Sequence, residues 1–468
     1  MGTISSALSL VDSALNADQA ALDVVANNVA NASNTTYTRQ VPNWEENQPI
    51  YLNGVAYGTG VTMTGGVSQR DNVLDQRLQQ QTQSSSSASA LLTALNTIQS
   101  SFPVASGSGT SGDIGTDITS FFNSFTQLES NPSSNPLRQQ VLSSAATLAG
   151  DISSVATSLN QQTASLDQSA STVASQVNSL TTSLAQVNLQ IQALSPNQDA
   201  GTLEDQRQSD LTKLSQLIGF NQIRTENNGL SIATTAGQLL VSEGASVQIT
   251  TGTVNGVTHF FAGGTDITSA LASGGGQIGG LLTARDQNIP AALTSLDQLA
   301  YGISTQINTV NNAGTDLAGN NGNAGDIFNA PAQVAGSAEA MVVVMTNPDN
   351  IAAAGLGKGV GDDSNAVAAA SLATSTIIGG ETPSNFYSNL VSTVGDSVSS
   401  ATNENTALNA SVTQLQSQVS ALSGVNLDEE ASNMQQFQRS YQAASQAFTI
   451  LNTIMAAAIN MGVETAVS

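Results

Sequence analysis

From Leu137 to Leu194 apolar side chains recur at alternating steps of three and four, and no proline interrupts them. The stripe reads Val141, Ala145, Leu148, Ile152, Val155 and Leu159. After Leu166 it continues through Ala170, Val173, Val177, Leu180, Leu184, Val187 and Ile191 to Leu194. This is the pattern of a helix that buries a narrow seam. Unbroken, it spans ~85 Å, longer than a small globular domain is wide. Ser195-Pro196 ends it, because proline lacks the amide and disfavours helix in the residue before it. The spacing therefore predicts an elongated, mainly α fold on a long coiled-coil scaffold.

Seams also occupy both ends. The first helix carries Ile4, Leu8, Val11, Leu15, Leu22, Val25 and Val29, with Asp18 where an apolar residue is due. The last carries Met434, Phe437, Tyr441, Phe448, Leu451 and Met455, with Asp428-Glu429-Glu430 in its first turn, where negative charge suits the helix dipole. A single seam helix cannot bury its own apolar face and is marginal alone.

Between the ends the period changes twice. Residues 34–70 read as a β arm turning at Asn53-Gly54. Residues 220–283 read as an inserted β-rich domain, with Asn227-Asn228-Gly229 and Asn255-Gly256 as turns, since Asn-Gly pairs supply positive φ angles. The expected organisation is an axial helix at 1–33, the arm at 34–70, and the long-helix domain from 71 to 219. The insert at 220–283 is followed by a returning helix at 284–310 and a Gly/Asn-rich segment at 311–382 with a strand at Met341–Met345. A long helix at 383–423 and a second axial helix at 424–468 close the chain. Phe121, Phe122 and Phe125 lie on one short helix and are expected to form a core node.

Composition excludes several functions. Lys+Arg 10 against Asp+Glu 34 gives net −24, which cannot neutralise many phosphates and is repelled by anionic lipid. No apolar run reaches the ~18 residues a membrane span needs. The first positive side chain is Arg39, so the start lacks the basic pattern of a cleaved secretory signal. With no cysteine and one histidine, His259, there is no thiolate metal site and little for general base chemistry. Neither nucleic-acid binding, membrane insertion, a cofactor nor enzyme activity is expected.

The isolated motifs read as structural. Gly107-Ser108-Gly109-Thr110-Ser111-Gly112 has no preceding strand and reads as an interhelix loop rather than a dinucleotide site. Gly357-Lys358-Gly359 lacks the Ser or Thr of a phosphate loop. Asp316 and Asp326 fit no calcium loop and read as turn residues. Asp362-Asp363 reads as a helix cap. Trp44 reads as an anchor of the arm or an intersubunit contact.

Two segments are more specific. Asn27-Asn28-Val29-Ala30-Asn31 followed by Tyr37-Thr38-Arg39-Gln40 resembles the N-terminal signature of the bacterial flagellar rod, hook and hook-associated protein family. Ser423-Gly424-Val425-Asn426-Leu427-Asp428-Glu429-Glu430, then Gln438-Arg439-Ser440-Tyr441, resembles its C-terminal signature. Asn135-Pro136-Leu137-Arg138, Arg285-Asp286 and Gly361-Asp362-Asp363-Ser364 resemble segments of the hook-associated members.

The resemblance implies a non-catalytic axial subunit, exported unfolded through a type III apparatus without cleavage. The implied partners are copies of itself, hook protein, the next hook-associated protein, and a cytoplasmic chaperone on the C-terminal segment. It also implies that residues 1–33 and 424–468 are disordered in the lone subunit and fold on joining neighbours, when the ordering entropy is met.

Overall fold

The computed structural model describes residues 2–34, 37–52, 54–103, 113–194 and 201–464. The chain opens with helix α1 (Gly2–Ala30) and a β ribbon of β1 (Gln40–Glu46), β2 (Ile50–Leu52), β3 (Val55–Tyr57) and β4 (Val61–Ser68). Helices α2 (Asn72–Ser100), α3 (Ile114–Glu129), α4 (Asn135–Leu194) and α5 (Gly201–Leu217) follow. The insert holds β5 (Phe220–Arg224), β6 (Leu230–Thr234), β7 (Leu239–Ser242), β8 (Ala245–Ser246), β9 (Ile249–Val254), β10 (Val257–Ala262) and β11 (Thr265–Asp266). Helices α6 (Thr268–Gly274) and α7 (Gly276–Thr283) lead through a π turn (Ala284–Asn288) into α8 (Ile289–Ala313). The chain ends with α9 (Ser364–Ser371), α10 (Pro383–Ser423) and α11 (Leu427–Glu464). The fold is mainly α with an inserted β-rich unit, as the periodicity predicts.

The long helix is continuous: α4 runs for 60 residues, ~90 Å. Its predicted stripe is buried from Val141 through Leu159 and again from Leu166 to Ile191 except at half-buried Leu180, while Leu194 is exposed, so one face serves as the keel of the trunk. Phe121 meets Phe122, Phe125 and Phe328 with ring centroids 5.2, 5.4 and 5.5 Å apart, confirming the core node. Beneath it Arg138 is fully buried, donating from Nε and Nη2 to the Pro132 carbonyl and from Nη1 to that of Ile351. Burial pushes its pKa down, but three backbone bonds satisfy the fork.

The insert forms two antiparallel sheets, ordered β5-β6-β7-β8 and β11-β10-β9. Asn227, Asn228 and Asn255 take positive φ at the expected turns. Side chains of α4 hold both sheets. Asn188 donates to the carbonyls of Leu230 (2.6 Å) and Glu243 (3.1 Å), and Asn178 pairs with both backbone groups of Ile249. Arg285, buried on the π turn, bonds Asp286, Asp167 and the Thr258 carbonyl, tying β10 to α4.

Four readings change. The β character ends at Asp266, and residues 268–283 are helical, with Ile278, Leu281 and Leu282 packed into the helical core. Met341–Met345 is not a strand. Phe328 and Val343 form one isolated bridge, Val342 and Val344 are exposed, and no neighbouring strand extends the pairing. The spacing of Leu390, Val394, Val398, Ala401, Leu408, Val412, Leu415, Val419 and Leu422 predicts a seam along α10, but only Leu390, Val394 and Ala401 are buried; from Leu408 to Val419 it is half-covered, and Leu422 is exposed. Asp362, not Asp363, caps α9, accepting from Ser364 N at 3.2 Å and from Gly355 N at 2.8 Å. Asn53, the Gly107–Gly112 motif and Ser195-Pro196 lie outside the described residues.

Asp117 on α3 faces Asp151 on α4, with Asp113 and the unpartnered Tyr387 hydroxyl close by. Burial, then Asp151, then Asp113 push Asp117 up to about 7. Its buried Oδ2 receives no other donor, so the pair is satisfied only by sharing a proton. Because the folded pKa is raised, this contribution is present below the ordinary value of 3.8 and is lost as pH rises through about 7. Asp117→Asn should therefore melt about 2 °C above the parent at pH 8.5, an effect of about 1 kcal/mol after discounting for solvent screening. Its melting temperature should also vary less than the parent's between pH 5.5 and 8.5. Identical pH slopes by calorimetry would contradict the shared proton.

Candidate assembly interface

The two signatures meet. α1 and α11 pack along each other as an antiparallel pair, joined at one end by a bond between residues 402 positions apart: Asn28 Nδ2 donates to Glu430 Oε2 at 3.0 Å. Asn28 is the hub. Its Oδ1 accepts from Gln40 N (3.0 Å) and from the Tyr37 hydroxyl (2.8 Å), and its Nδ2 also donates to the Gln40 carbonyl (2.8 Å). One amide side chain thus ties the end of α1, the start of the ribbon and the start of α11.

Arg39 closes the node from the ribbon side. Its Nε donates to Glu430 Oε1 at 2.7 Å, its Nη2 to Glu429 Oε1 at 2.8 Å, and its backbone N to the Ser423 carbonyl at 2.9 Å. Burial works against the charged guanidinium, but Glu430 and Glu429 outweigh it and hold Arg39 above its ordinary value. Glu430 is 1% exposed, so its charge is tolerable only because Arg39 and Asn28 meet it. Burial, with Asp205 and Glu430 nearby, pushes the Tyr37 hydroxyl up to about 12, so it stays a donor at every physiological pH. A second arginine links the node to the trunk. Arg70 bonds Thr38 Oγ1 at 2.7 Å and pairs with Asp205 of α5.

Of the N-terminal signature residues, Asn28, Tyr37, Arg39 and Gln40 converge here. Asn31 bonds back to Asn27 (2.9 Å) and closes the helix end, and Ala30 is exposed. The seams fare differently. Of Ile4, Leu8, Val11, Leu15, Leu22, Val25 and Val29 only Val25 is buried, and Val29 is exposed. Among its described side chains, α1 buries Ala17, Ala21, Val25 and Asn28. Two of them are alanines, whose small side chains a search for large apolar residues passes over. On α11, Met434, Phe437, Phe448, Leu451 and Met455 form a half-buried stripe, Tyr441 is exposed, and Glu430 is the only described residue of that helix classed as buried.

The ribbon lies along this pair. Trp44 stacks on Phe437 with ring centroids 5.8 Å apart, so it anchors the arm within the chain. A Cβ on Gly60 would strike Ser13 Oγ at 2.1 Å, and one on Gly66 would approach Val24 at 3.3 Å; glycine lets the ribbon lie on α1.

The residues weighed for chemistry are spent on structure. His259 Nδ1 bonds Asp266 at 2.6 Å, and Asp316 binds its own turn through Asn320. Among the described residues there is no cluster able to hold a metal, and no helix is long and apolar enough to cross a membrane.

Paired terminal helices, a ribbon bound to them and an inserted β unit on a long helical trunk define an extended helical protein whose two ends meet. The family described as flagellar hook-associated protein FlgK helical domain matches residues 104–328. Those described as flagellar basal body rod FlgEFG protein C-terminal and flagella basal body rod protein match 416–461 and 12–37. Flagellar hook-associated protein 1 of Salmonella typhimurium is 24% identical over 98% of this chain and 100% of its own length. Its counterpart in Bacillus subtilis is 27% identical over 96% of this chain and 97% of its own. The solved structure of the flagellar hook junction protein FlgK from Burkholderia pseudomallei shares the fold at 19% identity, with TM-score 0.64, covering 73% of this chain and 99% of that one. Over nearly its whole length the chain is thus similar to flagellar hook-associated protein 1 of these bacteria. The Salmonella alignment runs over 562 positions against the 468 residues here, so that relative carries insertions this chain lacks.

Proposed function

We propose that the protein is a structural, non-catalytic subunit of the flagellum that forms the junction between hook and filament. The observation that carries this reading is the Asn28–Arg39–Glu430 node, which joins both family signatures at the base of an incompletely buried helix pair. A monomer does not need such a seam; a ring of copies does. The similarity to flagellar hook-associated protein 1 over nearly the whole chain supports the same reading.

The mechanism is mechanical. α1 and α11 bind copies and the adjoining hook and hook-associated subunits, while the trunk and insert bridge a flexible hook and a stiff filament. Residues 1–33 and 424–468 complete their order only at assembly, which the thin burial of α11 supports. The chain leaves the cell unfolded through the type III apparatus, uncleaved. A cytoplasmic chaperone covers the C-terminal stripe beforehand, keeping Phe448, Leu451 and Met455 from premature contacts. A deletion strain tests the role: it should build hooks and shed filament subunits into the medium. Hooks carrying normal filaments would refute it.

A further inference from the structure

A cleft of about 220 Å³ lies between α2, α10 and the start of α8. Leu95 and Ile98 of α2 and Leu390 and Val394 of α10 wall it, and all four are buried. An apolar cavity of about 150 Å³ can hold benzene, so this one has room for a ring with a short arm. The π turn Ala284–Asn288 ends at the cleft. Single π turns inside α-helices recur at functional sites, where they set side chains out of the α-helical register. Arg285 of that turn already bonds Asp286, Asp167 and Thr258. Asn288 has no such engagement. Its Oδ1 is buried, has no hydrogen-bond partner and belongs to the lining of the cleft. A buried acceptor left unmet is unfavourable, so the site calls for a donor.

The other polar groups of the lining call for the same thing. The Ser295 hydroxyl donates to the Ala291 carbonyl at 3.1 Å, Thr393 to that of Asn389 at 2.8 Å and Ser397 to that of Thr393 at 2.8 Å. Each hydroxyl proton is thus engaged by its own helix, and only lone pairs are left for the cleft. Asn389 Nδ2 donates to Glu381 Oε2 at 2.7 Å, which leaves the Asn389 amide oxygen and Glu381 Oε1 as further acceptors. Glu381 is the only charged residue of the lining. Water would meet these acceptors but not the apolar walls.

We propose that the cleft binds a small primary ammonium ion carried on an apolar body about the size of one aromatic ring. An ammonium supplies three donors and no acceptor, which suits Asn288 Oδ1, and its charge suits the Glu381 carboxylate. The ring lies among Leu95, Ile98, Leu390 and Val394. Bound there, the ligand joins α8 to α10 and stabilises the trunk by mass action.

Phenethylamine is the probe, added to the full-length parent and followed by ligand-observed NMR and calorimetry. It should bind saturably. Phenethyl alcohol, the same body without the charge, should bind at least about tenfold more weakly. Ethylamine, the charge without the ring, should be weaker by a similar factor. Equal binding of the alcohol overturns the ammonium, and equal binding of ethylamine reduces the effect to the net charge of −24 and overturns the site. So does the lack of saturable binding at roughly 10 mM. Glu381→Gln and Asn288→Leu should each weaken phenethylamine about tenfold. Unchanged affinity in both puts the ligand elsewhere and refutes the assignment. Should either variant fail to fold, Ser295→Leu decides: from a half-buried position it fills the cleft and should abolish binding, and retained affinity refutes the site. All of this is read on the lone subunit, so the result stands apart from the assembly role.

Discussion

Replacing Leu451 by aspartate is expected to abolish filament attachment while leaving the trunk folded. Leu451 sits in the half-buried stripe of α11, within the charge-free stretch from Ser440 to Val463. The substitution removes about 1.5–3 kcal/mol of apolar burial once a neighbour covers the helix. It also brings a carboxylate into every copy of that interface, at a cost of desolvation and mutual repulsion. The core of the trunk does not include Leu451, so the helical signal and melting temperature of the purified subunit should match the parent. On the proposal that both ends order only at assembly, limited proteolysis of either lone subunit should remove residues 1–33 and 424–468 first and at equal rates. Leu451→Met, which conserves volume, should assemble normally. Complementation of the deletion strain, scored by attached filaments, measures the effect; full motility with Leu451→Asp would defeat the account.

The second large effect comes from a charge left stranded. Arg39→Ala removes the guanidinium from Glu430, whose carboxylate then keeps only the Asn28 amide. An uncompensated buried charge costs about 3–5 kcal/mol. Competition against the parent should show a loss of incorporation on the order of a hundredfold or more. Arg39→Ala/Glu430→Gln should recover much of this, since no charge remains buried and the new amide oxygen can still accept from Asn28. Glu430→Gln alone should be milder, as Arg39 retains the exposed Glu429. If the double variant assembled no better than Arg39→Ala, the ion pair would not be what closes the node.

The trunk was largely legible from the sequence because its information is local and repeated. The stripe of α4 and the three phenylalanines of α3 are large side chains at regular spacing, and burial follows from them directly. Met341–Met345 misled because an apolar run has strand chemistry without a strand beside it. The interface was half legible. Asn28, Tyr37, Arg39 and Gln40 stand out through the resemblance of their segment to a family signature, but their shared target does not. Asp428-Glu429-Glu430 read as dipole partners, whereas Glu429 and Glu430 answer an arginine some 390 residues away. Nothing in the local sequence encodes that meeting. The same holds for Ala17 and Ala21, whose value lies in how little space they take.

The separation of Asn28 from Glu430 has a consequence for quality control. Nearly the whole polypeptide must be present before the clasp between its two extremities can fasten, and closing so long a loop brings its own entropic toll. A product broken off anywhere upstream of residue 430 would keep its α1 yet lack the clasp's other half. Such fragments would lack the ion pair that fastens the clasp, so its closure marks a polypeptide that extends past residue 430.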